Sequence, residues 1–135
     1  MSISKQIISV IESRDKFLNL LKANPGLIVI KIGATWCGPC KKIKHIVEGF
    51  FASSPENVMC ADIDSDECFD LYSFLKGKRM VNGIPVILCY KKGNVGYIPD
   101  DSVTGADPTD LHAFFMRCNL HLKDAMKRFP SNRPH

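Results

Sequence analysis

A chain of 135 residues with 45% hydrophobic content is sized for one globular domain with a core of its own, which argues against a second domain. No apolar run approaches the roughly 18 residues of a membrane span, and Ser9, Glu12, Arg14 and Asp15 interrupt the N-terminal stretch, so neither a membrane association nor a signal peptide is expected. The net charge of +4 belongs mostly to the C-terminal end, where Lys123, Lys127, Arg128 and Arg133 stand against Asp124 alone; the body lacks the basic stripe interleaved with aromatics that a nucleic-acid partner would require.

Residues 6–11, Gln-Ile-Ile-Ser-Val-Ile, predict a short first strand, and Ser13 a helix cap before Phe17, Leu20 and Leu21, with Asn24-Pro25-Gly26 as the stop. Residues 27–33 are apolar toward both faces, as a central strand covered by helices must be. That strand delivers Ala34-Thr35-Trp36-Cys37-Gly38-Pro39-Cys40-Lys41. Beyond it Ile43, Ile46, Val47, Phe50 and Phe51 recur at helical spacing, with Lys41, Lys42, Lys44 and His45 on the polar side, as far as Ser53-Ser54-Pro55.

Residues 57–63 predict the next strand, and Asp64 or Ser65 the cap of a helix carrying Cys68, Leu71, Tyr72 and Leu75 and closed by Gly77. Residues 85–90 form a buried strand. Lys91-Lys92-Gly93-Asn94 is turn chemistry, and residues 95–98 are expected to pair back as a hairpin. A polar loop, Pro99-Asp100-Asp101-Ser102, leads through Gly105 to Asp107-Pro108, the start of a last helix burying Leu111, Phe114, Phe115, Cys118 and Leu122. The domain is expected to span residues 1–122, with residues 123–135 as a basic, fraying extension that includes Pro130 and Pro134.

The chemistry gathers where strand hands over to helix. The first turn of a helix carries unpaired N–H groups and the positive end of its dipole, and both favour a thiolate, so Cys37 is expected to be the more acidic sulfur. Pro39 suits a first turn, and Gly38 is expected to let the backbone bend tightly. Cys40 lies one turn on, close enough for a disulfide to open and close without refolding. A lone C-x-x-C is also half of a zinc site, but Cys60, Cys68, Cys89 and Cys118 are single and fall in apolar-periodic segments, which reads as buried free thiols; a Cys60–Cys68 pair is the less favoured alternative.

Trp36-Cys37-Gly38-Pro39-Cys40, followed 45 residues later by Ile84-Pro85 opening an apolar strand, resembles the thioredoxin family over residues 6 to about 120. The resemblance implies an α/β thioredoxin fold, a central mixed five-stranded sheet flanked by about four helices. It implies a dithiol enzyme reducing protein disulfides, with Cys37 the accessible attacker, Cys40 the resolver, and a substrate groove of Trp36, Gly38, Pro39, Gly83, Ile84, Pro85 and Gly105. The Ile84–Pro85 bond should be cis, leaving the Ile84 main chain free to pair with an extended client. No metal and no cofactor are implied; disulfide-containing proteins and a reductase or other dithiol donor are. The N-terminal stretch without signal-peptide character and the buried free thiols make a cytoplasmic location the expectation, and a monomer is expected.

The family usually has a buried aspartate five residues before the motif tryptophan, and here that residue is Lys31; the lysine that commonly partners it appears as Cys60. Lys31 either carries its amine out to solvent or faces Cys40 and tunes it. His45 stands where the family often has a kinking proline, so a straighter helix is expected, and there is extra length around residues 73–81 and 99–103. A disulfide oxidase or isomerase, and a redox-silent scaffold, are the competing readings.

Overall fold

The computed structural model describes residues 5–130. Its elements run β1 (Ile7–Ile8), α1 (Arg14–Lys22), β2 (Leu27–Gly33), α2 (Gly38–Lys42), α3 (Lys44–Ser53), β3 (Val58–Asp64), α4 (Phe69–Gly77), β4 (Val86–Lys91), β5 (Asp101–Thr104) and α5 (Pro108–Arg128). The five strands form one sheet in the order β1-β3-β2-β4-β5. Strands β1, β3 and β2 are parallel, whereas β4 runs against β2 and β5 against β4, giving the mixed sheet that was expected.

Side-chain alternation along β2 builds both layers of the core. Ile28, Ile30 and Ile32 face α1 and α4 with Phe17, Leu21, Leu71 and Leu75, while Leu27 and Val29 face α3 and α5 with Val47, Phe51, Leu111 and Phe114. Lys31 belongs to the second set by position. Phe50 stacks on Phe115 with ring centroids 4.1 Å apart, joining α3 to α5.

Several expectations are corrected. The first strand is only two residues, and three residues past its end the Ile11 N–H bonds the Cys68 sulfur. The hairpin return at 95–98 does not form; β5 is 101–104, inside the stretch expected to be loop. Asn94 explains this, its side chain bonding the Gly96 N–H, the Ile98 carbonyl and Asp100, while the Asp100 carboxylate takes the Lys91 N–H. The residues meant to pair are thereby tied into a loop. The helix after Cys40 is not straighter for lack of proline: it breaks at buried Ile43, so five helices flank the sheet.

The boundary drawn at 122 falls inside α5, which stays helical to Arg128 with Ala125 buried; the rest of the expected fraying, at 131–135, lies outside the described residues, as do residues 1–4. Cys60 and Cys68 occupy opposite faces of the sheet and do not pair, and all four remaining cysteines are free and buried.

Candidate active site

Strand β2 ends at Gly33, and the Cys37 N–H bonds back to the Ala34 carbonyl at 3.1 Å, closing the turn that carries the sulfurs. Cys37 is the cap of α2, with Pro39 in its first turn and Cys40 inside it. The two are bonded, Cα to Cα 5.3 Å, within the reach a disulfide needs. The Cys40 N–H donates to the Cys37 sulfur at 3.2 Å. Since α2 has only five residues, this bond rather than a long helix dipole is what favours negative charge on Cys37.

Exposure corrects the expected division into open attacker and deeper resolver. Cys37 is 4% exposed and Cys40 5%, because in the bonded form both sulfurs turn inward while Trp36, Gly38 and Pro39 stay on the surface. Gly38 has an ordinary helical backbone and open space at its missing Cβ, so no tight bend demands glycine there.

Two acids, one at the end of β3 and one in the turn after it, hold the motif loop. Asp64 accepts the N–H groups of Thr35, Asp66 and Glu67, and Asp66 takes the Trp36 indole N–H at 3.0 Å, fixing a ring that is 68% exposed. Sequence reasoning gave Asp64 only as a helix cap and passed over Asp66 and Asp62. A signal existed: parallel neighbours end at the same edge, so the acid-rich end of one strand belongs beside the cysteine loop that follows the other.

Across β2, strand β4 begins at Val86 opposite Ile32, which brings Pro85 to the same edge. The Ile84–Pro85 bond is cis, and no hydrogen bond to the Ile84 main chain forms among the described residues. Gly105, at φ +100°, donates its N–H to the Pro85 carbonyl at 2.9 Å, a conformation L side chains rarely adopt. Gly83 is half-buried beside open space. The predicted groove residues are thus gathered on one edge from three loops.

Lys31 does not carry its amine out to open solvent. It is 8% exposed, and its Nζ lies 3.2 and 3.5 Å from the two Asp62 oxygens. Among the described residues no group of three or more His, Cys, Asp or Glu is arranged to hold a metal. None of their helices is long and apolar enough to cross a membrane.

A family model described as Thioredoxin matches residues 8–117. A thioredoxin of Coprinus comatus is 31% identical over 112 residues, covering 82% of this chain and 97% of its own, and human thioredoxin is 38% identical over 91 residues, covering 64% and 79%. Among solved structures, Malassezia sympodialis thioredoxin superposes with a TM-score of 0.65 at 28% identity over 87% of this chain and 95% of its own. Oxidised mitochondrial thioredoxin 3 of Saccharomyces cerevisiae gives 0.65 at 29% identity over 82% and 94%. The sulfur bridge after a central strand, the cis bond at the same edge of the sheet and these likenesses agree: the chain belongs to the thioredoxin family of thiol–disulfide oxidoreductases.

Proposed function

We propose that the chain reduces disulfides in protein clients through a Cys37/Cys40 cycle. Cys37 attacks one client sulfur as thiolate, forming a mixed disulfide, and Cys40 then attacks Cys37, closing the bridge and releasing the client as a dithiol. A reductase or another dithiol donor returns the two electrons. The observation that carries this reading is the bonded pair whose second backbone N–H points at the first sulfur.

Trp36, Gly38, Pro39, Gly83, Ile84, Pro85 and Gly105 form the client groove in this reading, with the unpaired Ile84 main chain as the edge along which an extended segment docks. The protein works as a monomer in the cytoplasm, in electron transport from the donor to client disulfides, as one domain whose last helix runs on to Arg128.

A second reading, net oxidation or isomerisation, is favoured by Lys31: a cation near the pair stabilises the reduced thiolate and so makes the disulfide more oxidising. Reduction of a model protein disulfide by dithiothreitol, with and without the chain, tests the proposal. Acceleration that vanishes in Cys37→Ser supports it, and equal acceleration by that variant turns the chain into a scaffold. A redox midpoint well above the thioredoxin range would favour the oxidative reading.

A further inference from the structure

The inner end of the cysteine helix meets an ion pair. Lys31 lies directly opposite Asp62 in the β2–β3 register, and by alternation its side chain emerges on the face that α2, α3 and α5 cover. The point that a Cβ on Gly33 would occupy is 3.1 Å from the Cys40 sulfur and 3.7 Å from the Lys31 Cε. The bare glycine therefore leaves one small space into which the lysine stem and the resolving sulfur both reach. Asp62 stands at the wet side of this space, its side chain 37% exposed against 10% for Lys31.

A groove of about 340 Å³ opens onto Lys31, Gly33, Cys40 and Asp62, room for several waters. The charged groups facing Cys40 across it are Lys31 from β2, Asp62 and Asp64 from β3, Glu67 from the turn after β3, Lys41 from α2 and Lys44 from α3. Lys41, Lys44 and Glu67 are exposed and screened by solvent. Asp64 is occupied by three main-chain N–H groups. Lys31 is the buried cation of the set, and Asp62 is the counter-charge that holds its ammonium.

We propose that Lys31, restrained by Asp62, is the positioning group that governs how readily Cys40 gives up its proton to resolve the mixed disulfide. This rests on the dithiol cycle above and names the part of the site that controls its second step. In that step the Cys40 proton passes to water in the groove, and the sulfur electron pair forms the bond to Cys37. The bond between Cys37 and the client sulfur breaks, and the client sulfur leaves with its electron pair and is protonated by water. The ammonium favours the thiolate, and the carboxylate draws that ammonium's field toward solvent. Removing one partner therefore has the opposite effect from removing the other.

The test is rapid mixing of the reduced full chain with an aromatic disulfide whose thiolate absorbs visible light. The first release marks attack by Cys37 and the second marks resolution by Cys40, and the second is followed against pH. Lys31→Met should raise the midpoint of the second release by about one pH unit, about tenfold slower below the midpoint, and Lys31→Arg should restore it. Asp62→Asn should lower that midpoint and quicken release about threefold. Unchanged midpoints, or shifts of the same sign, overturn the inference even if stability falls. If Lys31→Met does not fold, Asp62→Asn decides alone, and a midpoint that does not fall is contradiction enough. A wild-type chain without any second release overturns the dithiol cycle itself, which is a different result from a release that ignores both variants.

Discussion

Two sets of sulfurs in this molecule differ little in exposure and sharply in surroundings. Cys37 and Cys40 are 4% and 5% exposed, and Cys89 and Cys118, on β4 and α5, are fully buried. The first pair is bonded and has an N–H aimed at one sulfur and a buried ammonium stem beside the other. The second pair sits in the apolar layer between the sheet and α5; contact with the Cys118 thiol and then burial push the Cys89 thiol far above its ordinary range. Burial alone therefore does not make a cysteine inert. Donors and charge around the sulfur decide which pair can ionise and react.

The largest effect should come from Cys37→Ser, which removes the attacking sulfur and should lower disulfide reduction by roughly a thousandfold or more, measured by dithiothreitol-driven turnover. Cys40→Ser should instead accumulate a mixed disulfide with the client, visible by non-reducing electrophoresis. Replacing Cys89 by Ala should leave that turnover unchanged. A comparable loss there would break the contrast between the two pairs.

A smaller effect is expected at Asp66. Its carboxylate fixes the exposed Trp36 indole, so Asp66→Ala should raise KM for a protein client about threefold while kcat holds, the signature of lost uniform binding. On stability, Cys118→Ser places a hydroxyl in the apolar layer and should cost about 1–2 kcal/mol in urea unfolding, with no change in redox midpoint.

The smallest effect concerns pH. Burial pushes the Asp101 carboxyl up, but hydrogen bonds from Arg117, His121 and the Ser102 N–H outweigh it and hold it below the usual carboxylate range. A carboxylate depressed in the folded state contributes stability above its unfolded value, about pH 4, and that contribution is lost as pH falls through the folded value. Asp101→Asn should therefore lower stability at neutral pH and flatten the loss on acidification, read from unfolding midpoints across that range.

Much of this was legible in the chain. The buried run of β2 with Lys31 as its one charged residue, Ser13 and Asp107 as helix caps and Pro39 in a first turn each follow from local chemistry, and the structure keeps them. What failed depended on long-range placement. The hairpin at 95–98 was lost to the side chain of Asn94, which no period-2 pattern reveals. Likewise, the partner of Lys31 needed the β2–β3 register, since Asp62 is an ordinary strand acid until the two strands are aligned. The near burial of Cys37 was hidden because the motif's neighbours are exposed while its sulfurs turn inward.

The most direct test is to mix the reduced chain with an equimolar protein disulfide, quench with an alkylating reagent, and map every cysteine by mass spectrometry. Two client thiols should appear for each Cys37–Cys40 bridge formed, while Cys60, Cys68, Cys89 and Cys118 remain thiols. Client thiols gained while Cys37 and Cys40 stay open, or at the expense of the buried cysteines, would contradict the account.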